Sequence, residues 1–143
     1  MMRFIPHITF RNALFLVSCS LFATAWAANA DDKPKTVVPS AEAKNHVDEE
    51  CTVEMTVRSS KNAAGRNEYY LDSEVDFRDE KNLAVVISYD HADAFKNAGI
   101  DDPAEHYKDK TIRVTGKVIQ ENDQTRIRVT EPGQIKVVEP GSN

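Results

Sequence analysis

The chain has 143 residues, 41% hydrophobic and 29% charged, with a net charge of −5 from 18 Lys and Arg against 23 Asp and Glu. That is room for one domain. It is too apolar for a disordered chain and too acidic for one held to phosphate backbones by bulk charge. Five Gly and six Pro exclude a collagen-like or low-complexity chain, and two Cys exclude a disulfide scaffold.

The N-terminal segment reads as an export signal. Arg3 and Arg11 supply positive charge without an acid, and Ala13 to Ala25 is an uncharged apolar run. The run falls short of the roughly 20 residues that span a bilayer. Ala28-Asn29-Ala30 then offers the small-x-small exit read by signal peptidase. The pattern predicts a signal peptide over residues 1–30, cleaved near Ala27–Ala30, and a secreted or periplasmic protein. The alternative is a lipobox, Leu16-Val17-Ser18-Cys19, which would make a lipoprotein anchored at Cys19. Residues 1–30 hold two of the bases and no acid, so their removal takes the charge to −7. Cys51 is then left, and its place in an alternating strand predicts a small core residue.

Residues 31–39 (DDKPKTVVP) are polar and proline-containing, the composition of a flexible leader. Ser40 is a good N-cap for a short helix over 41–46. The period then changes to two: Cys51, Val53, Met55 and Val57 on one face predict a half-buried strand over 51–58. Residues 59–67 (SSKNAAGRN) read as a turn. A second strand is expected over 68–77, with Tyr69, Leu71, Ser73, Val75 and Phe77 inward and Tyr70, Asp72, Glu74 and Asp76 outward. Residues 83–87 (LAVVI) are apolar on both faces, as a central strand covered on both sides would be. Asp90 is placed to cap a helix over 91–98 that ends at Gly99. Residues 100–110 read as a loop. Strands follow over 111–120 and 125–130, joined by a hairpin at 121–124, and a last strand spans 134–138. Residues 140–143 form a tail.

Three strands, a helix, a hairpin and a closing strand is the running order of a small closed barrel. The expected fold is mainly β: a five- to six-stranded OB-like barrel over residues 40–139, with one helix between the third and fourth strands and a short N-terminal helix. Gly116, mid-strand, suits the sharp bend such a barrel needs. The segments SAEAKNHV, CTVEMTV and YYLDSEVDFRDEKNLAVVI, and above all HYKDKTIRVTGKVIQENDQTRIRV and PGQIKVVE, resemble the secreted OB-fold domains of bacteria, of nucleic-acid-binding-like or periplasmic type. The resemblance implies a fold more than an activity.

Several residue patterns could carry chemistry. Arg113, Lys117, Arg126, Arg128 and Lys136 alternate with apolar residues and are expected to share one outward sheet face. Such a face would take phosphate, sulfate or a carboxylated sugar. Tyr70, with Tyr89 beside it, would be the aromatic for base stacking. The competing reading is a solvated face whose cations pair with Glu54, Asp72 and Glu74. Asp72, Glu74 and Asp76, with Asp79 and Glu80 beyond, have the spacing to meet a hard cation. They lack a calcium-loop pattern, and a solvated strand edge is the plainer reading. His46, His91 and His106 show no paired ligand spacing. There is no nucleophile elbow at Ser59-Ser60, no Cys–His setting for Cys51 and no phosphate-cradling glycine loop. No catalytic residue, metal ligand or cofactor is therefore assigned. The expected function is a non-enzymatic envelope domain that binds an anionic oligomer, nucleic acid or saccharide, or a protein partner. A structural or stress-related envelope module is the alternative, and a divergent nuclease-like enzyme ranks last.

Overall fold

One bent segment of chain serves two sheets, and its course decides the architecture. The computed structural model describes residues 36–141. The expectations placed on residues 1–30 and on Cys19 lie outside these residues, as do residues 31–35 of the leader and 142–143 of the tail. The strands are β1 (Val37–Pro39), β2 (Glu50–Thr56), β3 (Ser59–Ala63), β4 (Glu68–Asp72), β5 (Leu83–Ser88), β6 (Thr111–Glu121), β7 (Gln124–Val129) and β8 (Ile135–Val137). Two short helices, α1 (Ala92–Asn97) and α2 (Pro103–Tyr107), connect β5 to β6.

The hydrogen-bonded order is β1-β2-β6-β7-β5-β4-β3, with β8 added to β6. The path begins near β2 and ends on β3, and these are separated only by Val57 and Arg58. Val57 N–H donates to the Lys110 carbonyl (2.9 Å), while Arg58 N–H donates to the Asp72 carbonyl (3.0 Å). Adjacent residues thus bond to opposite ends of the path, which brings the sheet back on itself. The expected count of five to six strands is corrected to eight. Joining β2 and β3 as one bent strand leaves a ring of five, with β1 and β8 as short additions. Val37–Pro39, expected in the flexible leader, instead pairs in parallel with Thr52–Glu54 and buries Val38.

The interior follows from period-two patterning. Val53 and Met55 of β2, Ile112, Val114 and Val118 of β6, and Ile127 and Val129 of β7 all turn inward, joined by Phe95 of α1. Cys51 is buried with them. β5 is covered on both faces: Leu83, Val85 and Ile87 enter the core, while Ala84 and Val86 are buried beneath the outer face.

Other boundaries move for identifiable reasons. The N-terminal helix over Ser40–His46 is a 3₁₀ helix, with Ser40 inside it and no side-chain cap. Residues 59–63, read as a turn, form an edge strand against β4. The strand expected over 68–77 stops at Asp72, because Ser73 and Asn82 bond to each other and start a loop. Val75 and Phe77, expected inward, are 78% and 54% exposed, whereas Asp72, expected outward, is buried. The single expected helix is a 3₁₀ turn over Tyr89–His91 followed by α1 and α2, and Ser88 rather than Asp90 caps the turn. Gly99 ends α1 at φ +82°, its N–H on the Lys96 carbonyl and the Ile100 N–H on that of Phe95. This is a Schellman closure that needs a left-handed residue. α2 lies in the segment read as a loop, capped by Asp102, which accepts from the N–H of Ala104 and Glu105.

At Gly116 the packing leaves little room for a side chain. A Cβ there would lie 2.8 Å from Ile127 Cγ2, inside the core. Gly116→Ala is expected to cost about 1–3 kcal/mol through overpacking. Each kcal/mol lowers Tm by roughly 4–8 °C in a domain of this size, which thermal unfolding would read.

Candidate ligand groove

The register aligns polar side chains on the outer face of the β3-β4-β5-β7 half. Asp72 pairs with Ala84, and Ala84 with Arg126. One step along, Lys61 pairs with Tyr70, Tyr70 with Val86, and Val86 with Arg128. Directly opposed residues share a face, so two rows cross the small residues of β5. Between them lies a groove of about 460 Å³ over Ala84, with Asp72 and Tyr70 on one side and Arg126 on the other. Lys61 and Arg66 line the groove with Asn122 of the β6–β7 turn and Gln124 of β7, and Phe77 of the β4–β5 loop adds a second ring. Asn122 and Asp123 both have positive φ, as a two-residue type I′ hairpin requires.

Arg126 is the unusual residue here. Its side chain is only 6% exposed. Nη1 lies 3.4 Å from Glu121 Oε1, and Nη2 donates to Gln124 Oε1 at 2.8 Å. Its guanidinium carbon sits 5.9 Å from the centre of the Tyr70 ring, within cation–π range. Nε is buried without a hydrogen-bond partner, a state that costs about 1–3 kcal/mol for a polar atom. Around it runs a closed network. Glu121 also accepts from Arg128 (2.8 Å), Arg128 donates to Glu68 (3.0 Å), and Glu68 accepts from the Tyr70 hydroxyl, whose ring faces Arg126. Burial pushes the Glu68 carboxyl up. The hydrogen bonds from Tyr70 and Arg128 outweigh it and hold the group below the usual carboxylate range.

Asp72 is held by Asn82, which uses its whole amide. Asn82 Nδ2 donates to Asp72 Oδ1 (2.9 Å) and to the Phe77 carbonyl (3.3 Å), and its Oδ1 accepts from Glu74 N–H (3.0 Å) and Ser73 Oγ (3.4 Å). Desolvation raises the Asp72 carboxyl above its ordinary value, against the opposing pull of Asn82 and of the Arg126 charge.

The candidate residues divide. Tyr70 and Arg126 meet in the groove, with Arg128 linked to them through Glu68 and Glu121. Arg113 lies on the other half of the barrel, bonded to Glu54 (2.8 Å), with Lys136 as its cross-strand partner on β8. Lys117 is 3.8 Å from Asp48. Arg113 lines a second hollow of about 550 Å³, where Glu54, Asp109 and Glu139 outnumber its bases. Tyr89 is not on the groove: its ring lies 4.7 Å from that of Tyr69 and its hydroxyl bonds to Asn62. The three acids at spacing two part company, since Asp72 faces Asn82, Glu74 meets Arg58 and Asp76 meets Arg78. Among the described residues no cluster of His, Cys, Asp and Glu could hold a metal ion. Sequence reasoning missed Lys61, Arg66, Phe77 and Gln124, because only the register and the loop's return put them beside Arg126.

Comparison with known proteins bears on the fold. No family model matches the chain, and no curated protein matches it. Among solved structures, it is similar to a putative aspartyl-tRNA synthetase from Leishmania major Friedlin, with TM-score 0.50 and 11% identity over 77% of this chain and 22% of that one. It is also similar to OBody AM1L10, solved bound to hen egg-white lysozyme, with TM-score 0.50 and 18% identity over 74% of this chain and 95% of that one. The chain thus spans less than a quarter of the synthetase's length. At these identities the likeness is one of fold, and it agrees with the mainly β, OB-type topology described above.

The raised Asp72 carboxyl makes a pH-dependent prediction. A group whose pKa is higher folded than unfolded adds stability below the unfolded value and loses it as pH rises through the folded one. In urea unfolding, Asp72→Asn is therefore expected to gain stability relative to the native protein between pH 3.5 and pH 7. A constant difference would show that desolvation does not govern this carboxyl.

Proposed function

We propose that this is a non-enzymatic OB-fold binding domain that takes single-stranded nucleic acid across the outer face of β3, β4, β5 and β7. The observation that carries the reading is Arg126. It is a buried guanidinium with an unpartnered Nε, set beside Tyr70 in a groove that also holds Phe77, Lys61 and Arg66. Cations that track a backbone and rings that stack on bases are the two parts of single-strand recognition. In OB folds, the face of the second and third strands with its flanking loops is where oligonucleotides and oligosaccharides bind. With β2 and β3 taken as one strand, that face is β4 and β5. A net negative chain still suits such a site, because the bases are gathered locally while the acids of the groove wall orient them. Of the two similar solved structures described above, one is named for tRNA and the other is bound to a protein. The rings and cations together favour the nucleic acid. The export pattern of residues 1–30 supports a location outside the cytoplasm.

Fluorescence anisotropy with the purified protein and short single-stranded DNA and RNA tests this reading. Lys61→Ala with Arg66→Ala is expected to weaken binding at least tenfold and to flatten the slope of log K against log salt by about 1.4, at roughly 0.7 per phosphate contact. Binding lost in Arg113→Ala but kept in the Lys61/Arg66 variant would place the ligand on the other half of the barrel and overturn the reading.

A further inference from the structure

We propose that the groove is an end-seat: it holds one terminal nucleotide by its phosphomonoester, with Lys61 and Arg66 for the phosphate and the rings of Tyr70 and Phe77 for the base. The inference rests on the nucleic-acid reading of the groove and names the part of the strand that it takes. Its basis is which cations still have charge to give. Arg126 is tied to Glu121, Arg128 to Glu68 and Glu121, and Arg78, beside Phe77, to Asp76. On the groove lining, Lys61 and Arg66 remain without an ion pair among the described residues, and both are exposed. The two also meet at one side chain. Lys61 is the direct cross-strand partner of Tyr70, on the same face. Arg66 lies beside the Tyr70 hydroxyl, whose hydrogen bond favours its charged form, with a lesser pull from Glu68. That hydroxyl gives its own proton to Glu68, so toward Arg66 it acts as an acceptor. The uncommitted positive charge of the groove is thus gathered against one ring.

Two cations in one place select the kind of phosphate. An internal phosphodiester brings a single negative charge. A phosphomonoester brings about −1.5 to −2 at neutral pH, on three acceptor oxygens. A guanidinium fork and an ammonium can share those oxygens. Size points the same way. The groove holds about 460 Å³, in the lower part of the roughly 300–1,000 Å³ of small-molecule sites. An OB fold that follows a strand covers roughly 4–16 nucleotides along a positively charged track. Here the surroundings of the groove are acidic instead. The loop that carries Phe77 holds Glu74, Asp76, Asp79 and Glu80 against Arg78 and Lys81. The turn that carries Asn122 adjoins Glu121 and Asp123 without a base. A backbone running past either would set phosphate against carboxylate. The strand is therefore held at its end, and the nucleotides behind it leave toward solvent. A free nucleoside monophosphate has the same chemistry as that end.

The test is competition anisotropy on the intact protein, at one salt concentration and near neutral pH. It compares dT6 with dT4 bearing a 5′-phosphate or a 3′-phosphate. These oligomers carry nearly equal charge, so net charge alone cannot separate them. At least one phosphorylated dT4 is expected to bind tenfold or more tighter than dT6, and the better end gives the polarity of the strand. Extending that oligomer to sixteen nucleotides is expected to change its affinity less than about threefold. Lys61→Ala with Arg66→Ala should bring phosphorylated dT4 and dT6 within about threefold of each other, with thermal unfolding to check that the barrel is intact. Thymidine monophosphate as competitor separates the two sources. Displacement within about tenfold of phosphorylated dT4 supports the seat with free nucleotide as a ligand, and weaker displacement supports it with a strand end required. Phosphorylated dT4 no tighter than dT6, or affinity that climbs tenfold from four to sixteen nucleotides, would overturn the seat while leaving the groove reading standing. A preference that survives the double variant would overturn the role of the two cations and with it the seat. Absence of binding to any oligomer would overturn the groove reading itself, and the seat with it.

Discussion

The handover at Val57 and Arg58 is the constraint on which the rest of the domain depends. A strand's two edges bond to two neighbours, and here consecutive residues direct their N–H groups to opposite ends of the hydrogen-bonded path, Val57 to Lys110 and Arg58 to Asp72. Val57 is completely buried at this point, so the turn between sheets is filled with apolar side chain rather than water. Without it the hydrogen-bonded path would stay open, a single curved sheet with its two ends unjoined. With it the ladders of β4, β5 and β7, which set the spacing of the outer rows, belong to a closed ring.

That spacing is what allows polar residues to sit over β5. Ala84 and Val86 contribute little bulk, and longer side chains from both neighbouring strands close over them. A buried guanidinium is costly unless its charge is matched. Here the matching is spread around a loop of Glu121, Arg128, Glu68 and Tyr70, and the aromatic face of Tyr70 completes it. The arrangement leaves one nitrogen unmatched. Removal of any one carboxylate from the loop would leave charge behind on its neighbours, so the wall of the groove behaves as a unit.

Most of the interior was legible in the sequence, because alternation over β2, β6 and β7 and the double-sided run of β5 both survive in the structure. Two features were not. β3 is Ser-Ser-Lys-Asn-Ala, polar on both faces, and it is a strand only because β4 offers it an edge. The alternation of residues 68–77 continues past the true end of β4, and nothing in its period announces that Ser73 will bond to Asn82. α2 was legible in principle: Asp102-Pro103-Ala104-Glu105 carries an N-cap, a proline at the first helical position and an acid three residues on. Of the site, Tyr70, Arg126 and Arg128 could be picked out as outward residues of strands. That Arg126 would be buried, and Arg113 placed on the opposite half with Glu54, follows from curvature, which strand periodicity does not encode.

Asn82 concentrates the attachment of a ten-residue loop into one side chain. All four hydrogen-bonding positions of its amide are spent on Asp72, Ser73, Glu74 and Phe77, so most of the loop's attachment passes through this side chain, with Glu74 on Arg58 and the Phe77 carbonyl near Gln124 beside it. Residues between Val75 and Lys81 owe the sheet no ladder bonds. Lengthening such a segment costs little, since doubling a loop adds only about 0.6 kcal/mol of closure entropy. The wall that Phe77 contributes is therefore an exchangeable part. Different loops could be grafted between Asp72 and Asn82 to reshape what the groove admits, while the barrel keeps its register.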